Sequence, residues 1–248
     1  MAKISGLGMS FWLSGYDLGG NVHSLDKVHG KQAVFDVTDI TQSAFERRGG
    51  VRDGEVSFTV FYDTDANMSH ARLSPLPTTD VLVQTNVRNT AGYPAAAMIG
   101  RQVGYDGTRN DKGEFTLKVQ ALADNYGLEW GNLLTDGKVT DTEATDHTGI
   151  DLTDVSTLYG WQAYAQVFAV TGTSVTLTLQ DSANDIAYAS LAGGAFTAVT
   201  PAAAPAWQRL AGGASAEVRR YVRVASSGTF SSATFGVMFV RNRSAVTF

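Results

Sequence analysis

The sequence predicts an all-β protein, and three features carry that prediction. Apolar and polar residues alternate in several runs, such as "EVSFTVF" at 55–61 and "SVTLTLQ" at 174–180, and this period places successive side chains on opposite faces of a strand. Val, Thr, Phe and Tyr, which suit a pleated surface, dominate the runs. Turn sequences such as Asp106-Gly107, "NDKG" at 110–113 and Asp136-Gly137 separate them.

Helical periodicity is nearly absent from the chain. Two short segments are exceptions: "TQSAFERR", which begins at a possible cap residue, Thr41, and "NMSHARLSPL", which Pro75 would end. We therefore expect short helices at most.

The composition changes between residues 135 and 157, where the chain is polar, acidic and rich in threonine. After this stretch come short strand-like runs at the spacing of a β-sandwich, with "PAAAPA" at 201–206 as an extended loop. We predict a first domain over residues 1–150, a linker at 151–157, and an antiparallel Ig-like or jelly-roll-like β-sandwich over 158–248.

Composition excludes some classes of protein. The 248 residues include no cysteine, so disulfides and Cys-ligated zinc are excluded. No stretch reaches the roughly 20 apolar residues of a membrane helix, and residues 1–15 are too interrupted for a signal peptide, so we expect a soluble intracellular product. Residues 1–157 carry 13 Lys+Arg and 21 Asp+Glu, a net charge of −8, whereas residues 158–248 carry +3. The acidic part speaks against tight binding of a phosphate backbone.

Motifs that carry chemistry are lacking. The four histidines, His23, His29, His70 and His147, form no metal-binding spacing, and the acidic loops that begin at Asp63 and Asp106 lack the Gly and Glu of an EF-hand. There is no nucleophile elbow, phosphate-binding loop or dinucleotide fingerprint. We expect no enzyme: no catalytic residue, no cofactor and no metal.

Two aromatic regions leave a carbohydrate-related function open. Asp124 and Glu129 lie near Trp130 and could form a glycosidase pair, although such carboxylates are more often at solvated strand ends. Tyr159, Trp161 and Tyr164 could form a sugar-stacking platform. Their spacing prevents all three from sharing one strand face, so at least one of them belongs to the core.

Three runs of the sequence are informative together: "LDKVHGKQAVFDVTDITQSAFERRGGVRDGEVSFTVFYD" at 25–63, "HARLSPLPTTDVLV" at 70–83 and "AAAMIGRQVGYDGTRNDKGEFTLKVQALADNYGLEWGNLLTDG" at 95–137. They resemble the major tail proteins of long-tailed, siphovirus-like, double-stranded DNA bacteriophages, especially those that infect actinobacteria. The strand-rich C-terminal part adds to the likeness, which covers most of the chain.

The resemblance implies a structural virion protein of the tail, assembled in the host cytoplasm. Such a subunit has a tail-tube β-sandwich or barrel with a short helix and a long inter-ring loop, and six copies form a ring. Stacked rings make the tube through which DNA is ejected without being specifically bound. The implied partners are further copies of the chain and other tail proteins (tape measure, terminator and distal tail proteins), with no membrane. The alternative is a tail or capsid adhesin or decoration module that binds host-surface glycans.

Residues 34–54, called the arm below, are where this sequence would place the inter-ring loop. Apolar side chains stand beside charged ones there, so the former can supply burial while the latter specify register. Gly49, Gly50 and Gly54 would let the chain reverse into a strand starting at Glu55, and we expect the arm to become ordered only on assembly. The predicted interface residues are Phe35, Val37, Ile40, Phe45, Arg47, Arg48, Arg52 and Asp53.

Overall fold

The computed structural model describes residues 6–153 and 155–246; residues 1–5 of the segment considered for a signal peptide and Asp154 of the predicted linker lie outside it. It contains one short helix, α1 (Ser69–Leu73), among the described residues, and 57% of the chain is β-strand. The predicted all-β fold class is confirmed. In chain order the strands are β1 (Ser10–Leu13), β2 (Tyr16–Asp17), β3 (Val22–Asp36), β4 (Arg47–Phe61), β5 (Val81–Asn86), β6 (Pro94–Arg109), β7 (Phe115–Ala123), β8 (Glu129–Leu133), β9 (Val139–Asp141), β10 (Ile150–Asp151), β11 (Trp161–Ser182), β12 (Ala189–Ala195), β13 (Ala206–Ala211) and β14 (Tyr221–Arg241).

The chain forms two compact units, and neither is a single stretch of sequence. Unit 1 consists of residues 1–20, 84–97 and 130–248, and unit 2 of residues 21–83 and 98–129. This division differs from the linear one expected from composition, because β8, β9 and β10 all pair with β14 near the C-terminus. The linear boundary at 151–157 stays a prediction about the assembled protein.

Unit 1 is built on two very long antiparallel strands, β11 and β14, which pair from Trp161↔Arg241 to Ser182↔Tyr221. The sequence predicted short strands here. Instead, Gly172 (φ +126°) and Gly228 (φ +117°) lie within the strands, and the register shifts around Gly172 as in a β-bulge. A bulge absorbs the extra residue without ending the pairing, so each strand continues for more than 20 residues.

Both faces of β11 are buried from Trp161 to Val167, whereas the part of the strand after residue 174 buries mainly alternate residues. Trp161, Ala163 and Ala165 point into the main apolar core with Phe235 and Phe239 of β14. Residues on the opposite face form a polar layer. There, the Gln166 side chain accepts a hydrogen bond from the Gly15 amide at 2.8 Å and donates one to Gln84 at 3.3 Å. Buried amides paired in this way avoid the penalty of unsatisfied polar groups.

The acidic stretch before residue 158 contributes side chains to this core. Ile150 and Leu152 are buried in the apolar cluster, and the Leu152 amide donates to the Arg220 carbonyl at 3.0 Å. Thr157 forms an isolated bridge with Val218. A few apolar residues spaced among polar ones are enough to attach the segment to β14.

Unit 2 is an antiparallel sheet in the order β3–β4–β7–β6. Its core comes from the alternating residues identified in the sequence, Val56, Phe58 and Val60 of β4 with Leu117 and Val119 of β7, all buried. The helix expected near Pro75 is present as α1, while Asp106-Gly107, expected to be a turn, lies inside β6. The turn at 110–113 is confirmed by the Asn110–Glu114 hydrogen bond and Gly113 at φ +91°.

Candidate subunit interface

The arm is a two-stranded ribbon formed by the ends of β3 and β4. Pairing of β4 with β7 stops at Glu55↔Leu122, whereas pairing of β4 with β3 continues to Asp36↔Arg47. Residues 47–54 therefore have strand pairing on the β3 side alone. The ribbon extends the hairpin past the edge of the unit 2 sheet.

The ribbon is solvent-exposed over an unusual length. Every residue from 29 to 49 is exposed. Six residues of the arm are both large and apolar and have exposed fractions of 41–103%: Val34, Phe35, Val37, Ile40, Phe45 and Val51. Scattered exposed apolar residues are normal on a protein surface, but six of them on one hairpin make the ribbon a candidate interaction surface.

The tip of the ribbon, residues 37–46, is a loop and not the helix expected for "TQSAFERR". Thr41 does not cap a helix; its amide and hydroxyl donate to the Asp39 carboxylate at 2.8 and 2.6 Å. Thr38 donates in the same way to Asp36 at 3.0 and 2.5 Å. These local bonds offer the backbone an alternative to helix, and they hold the pKa of both aspartates below its usual range.

The glycines of the arm lie inside β4 and do not reverse the chain, contrary to the sequence prediction. They allow close packing instead. A Cβ on Gly50 would come within 2.4 Å of the Phe35 ring, and one on Gly54 within 2.7 Å of the Leu128 amide nitrogen. Because these positions carry no side chain, the Phe35 ring can lie across the ribbon.

The eight predicted interface residues separate into two groups. Phe35, Val37, Ile40, Phe45, Arg47 and Arg48 lie on the exposed part of the ribbon or at its tip. Arg52 and Asp53 lie at its base and pair within the subunit: Arg52 is 3.7 Å from the buried Glu129, and Asp53 is 2.9 Å from Lys31. The Lys31 bond lowers the pKa of Asp53 and raises that of Lys31.

Sequence reasoning missed two residues of this surface. Val34 and Val51 are 60% and 76% exposed and belong to the same ribbon. The apolar "AVF" run at 33–35 could have indicated Val34, but Val51 between Gly50 and Arg52 carried no recognisable pattern.

The candidate catalytic groups form ion pairs within the subunit. Asp124 forms an ion pair with Arg101 at 2.7 Å, and Glu129 is buried beside Arg52. His147 Nε2 and Ser226 Oγ lie 3.1 and 2.5 Å from the same oxygen of Asp141. In a nucleophilic triad the imidazole stands between the other two groups, so this cluster fixes the β9–β10 segment to β14 and does not activate Ser226.

The remaining histidines and aromatic residues correct further expectations. His23 and His29 lie on β3, and His147 is partly buried with its ring edge-on to Phe235. Trp161 and Tyr164 are fully buried while Tyr159 is 40% exposed, so they form no common sugar platform. No group of three metal-ligating side chains occurs within residues 6–153 and 155–246, and no helix among them is long and apolar enough to cross a membrane.

Comparisons with known proteins give weak likenesses. No protein-family model matches the chain, and no curated protein matches it significantly. Among solved structures, a chain from the tail of an empty GTA particle with C6 symmetry is 13% identical, with a TM-score of 0.38 over 52% of this chain and 98% of that chain. The Dit protein of phage SPP1, described as part of a hub adsorption apparatus in phages that infect Gram-positive bacteria, is 14% identical, with a TM-score of 0.31 over 94% and 99%. A chain of the phage p2 baseplate in its activated conformation is 9% identical, with a TM-score of 0.32 over 96% and 99%. TM-scores below 0.5 do not show a common fold.

Proposed function

We propose that the protein is a tail tube subunit of a siphovirus-like phage, and that the arm docks on a neighbouring copy when rings stack. The observation that carries the proposal is the exposed ribbon with its six large apolar side chains. A monomer in water gains nothing from exposing them. Between subunits, the same groups supply the apolar centre of an interface.

Charged residues around the apolar ones support a specific interface and not non-specific hydrophobic association. The Arg47 guanidinium lies 5.1 Å from the centre of the Phe45 ring, and Arg48 is 3.7 Å from Glu46. Exposed pairs of this kind contribute little to stability within the subunit. They are positioned to exchange partners with a neighbour, and unmatched charges would disfavour incorrect registers.

The experiment that tests this function removes the ribbon without disturbing the sheet. Replacing residues 33–51 by Asn-Gly joins the paired residues Gln32 and Arg52 through a two-residue turn suited to a hairpin. We expect the purified wild-type protein to form tubes in negative-stain electron microscopy, and the shortened protein to stay monomeric with a normal thermal transition. Tubes formed by the shortened protein would show that the arm is not the connection between rings.

A tube through which DNA passes must also have a wall that does not bind phosphates. A wall that bound phosphates would retain DNA, and at physiological salt charges act over about 8 Å. Since residues 1–157 carry a net charge of −8, we expect the free subunit to show no salt-sensitive binding of double-stranded DNA in a gel-shift assay. Tight binding that weakens as salt rises would instead indicate a nucleic-acid-binding protein.

A further inference from the structure

The end of the unit 2 sheet that lies opposite the arm also exposes large side chains. Strand β4 begins in the arm at Arg47 and ends at Phe61, where its pairing with β7 ends too. Just beyond Phe61, Tyr62 is 45% exposed, and its amide donates to the carbonyl of Phe115, whose side chain is 40% exposed. The arm and these two rings therefore lie at opposite ends of the same strand.

The two rings belong to a group of four that we call the aromatic cluster: Tyr62, His70, Tyr105 and Phe115. The centre of the Tyr62 ring lies 4.7 Å from that of His70 and 5.3 Å from that of Phe115. His70 Nδ1 and the Tyr105 hydroxyl form a hydrogen bond of 2.8 Å. The Phe115 ring lies across Gly107, where a Cβ would come within 2.8 Å of it. These contacts hold two exposed rings in place, and such rings suit apolar partners.

The dimensions of β4 bring the arm of one copy to the aromatic cluster of another when copies stack end to end. Residues 47–54, which lie in the arm, span about 26 Å at about 3.3 Å per residue, and residues 55–61, which pair with β7, span about 23 Å. If two copies in the same orientation stack along β4, the arm of one meets the cluster end of the next first. An arm as long as the paired sheet reaches far enough to cover the cluster.

Charged residues of opposite sign lie beside the two surfaces. Arg47 and Arg48 adjoin Phe45 near the tip of the arm, and Asp63 and Asp65 follow Tyr62 at the cluster. The amide of Asp65 and the side chain of Asn21 donate to the Asp63 carboxylate, which lowers its pKa and keeps it ionised at neutral pH. Each surface thus has apolar groups with charges at their side, and the signs match for docking.

We propose that the aromatic cluster is the surface on which the arm of a second copy docks, with Ile40 and Phe45 against its two exposed rings. The inference rests on the proposed function and adds the acceptor surface to it. Burial of apolar arm residues against aromatic rings supplies the centre of such a contact, and the charged residues surround it. A sugar stacked on the same rings is the competing occupant, and the test separates the two.

The test makes use of the absence of cysteine from the chain. One protein carries Ile40→Cys in the arm. A second carries Thr64→Cys or Lys112→Cys, which are exposed positions two and three residues from the exposed rings, or Lys118→Cys, an exposed control position in the middle of β7. The two proteins are mixed under assembly conditions, treated with a short bis-maleimide and digested, and mass spectrometry identifies the linked peptides. A link from position 40 to a position in the second protein forms only between two molecules.

We expect position 40 to link to positions 64 and 112 at least tenfold more often than to position 118. Tubes in which position 40 links to position 118 alone, or to none of the three, overturn the acceptor surface and leave the proposed function standing. The absence of both tubes and links refutes the docking and the proposed function together. Links to positions 64 and 112 without tubes support the docking and refute the tube.

A second measurement asks whether assembly needs the rings themselves. Tyr62→Ala and Phe115→Ala should each raise the critical concentration for assembly at least tenfold, whereas Tyr62→Phe, which keeps the ring, should assemble like the wild type. Ile186→Ala, at an exposed position of unit 1, is the control, and thermal melting of every variant confirms folding. Normal assembly of the Tyr62→Ala, Phe115→Ala double variant overturns the proposal. Binding of a galactose trisaccharide that this double variant loses, while it still assembles, would assign the cluster to a sugar.

Discussion

Replacing Ile40 by alanine tests the arm most directly, because this side chain is fully exposed at the tip of the ribbon, at 103%. The substitution removes three carbons, each worth about 0.8 kcal/mol when buried. If Ile40 is buried against a neighbour, each contact therefore loses about 2.4 kcal/mol. Since 1.4 kcal/mol corresponds to a factor of ten, the critical concentration for assembly should rise roughly 50-fold.

The same substitution should leave the isolated subunit unchanged. A fully exposed side chain away from caps and strained positions alters the free energy of unfolding by about 0.5 kcal/mol or less. Light scattering against protein concentration gives the critical concentration, and urea denaturation gives the stability. Ile186→Ala is the matched control, because Ile186 is also highly exposed, at 83%, but lies outside the arm.

The reasoning fails if Ile40→Ala, Phe45→Ala and the double variant all assemble within about threefold of the wild-type concentration, which is less than 0.7 kcal/mol. It also fails if Ile186→Ala is as damaging as Ile40→Ala, since general surface hydrophobicity would then explain both.

Three further predictions concern stability. The hydrogen bond from Arg220 lowers the pKa of Asp151 from 3.8 to about 2. The stabilisation that this pair gives the fold is therefore complete above roughly pH 4 and is lost as pH falls through about 2. The difference in melting temperature between wild type and Arg220→Gln should shrink from pH 5 to pH 2, and a constant difference would contradict the pairing. Phe235→Ala should cost about 3–5 kcal/mol in urea denaturation, because the ring is fully buried in the unit 1 core; a loss below about 1 kcal/mol would mean that the core closes around the gap. Gly54→Ala should lower the free energy of unfolding by about 1–3 kcal/mol, because the new Cβ meets the Leu128 backbone. Gly20→Ala is the control and should be nearly neutral, because a Cβ there has nothing within 4 Å. Equal effects of the two substitutions would refute the packing argument.

The fold class and much of the core could be predicted from local patterns. Alternation identified Val56, Phe58 and Val60, and the Leu177 and Leu179 positions of β11, all of which are buried. Strand lengths could not be predicted, because a glycine in a bulge has the same local sequence as a glycine in a turn. Gly172 illustrates this: its neighbours Thr171 and Thr173 suit a turn or a strand, and pairing with β14 some 60 residues away decides.

The arm and the residues that line a groove in unit 1 differ in how far the sequence could predict them. The arm is contiguous, so its mixture of apolar and charged residues was visible in the sequence, although its conformation was not. The groove in unit 1 is lined by Pro94, Trp130, Leu152 and Arg241, which are brought together by pairing of β14 with earlier strands. No local pattern could have predicted that these four residues line one groove.

The conformation of the ribbon affects the free energy of the proposed assembly. An isolated two-stranded hairpin is marginally stable in water, and a disordered arm would lose conformational freedom when it docked, at about 1–2 kcal/mol per residue. Here the ladder continues to Asp36↔Arg47 within one chain, Gln32 Nε2 donates to the Gly50 carbonyl at 3.0 Å, and Lys31 pairs with Asp53. These contacts give the arm a defined ribbon conformation within one chain; that it becomes ordered only on assembly stays a prediction. Under the proposed function, an arm that already has this shape before docking would keep more of its apolar burial as binding free energy, and a few exposed side chains at its tip would then supply the contact between rings.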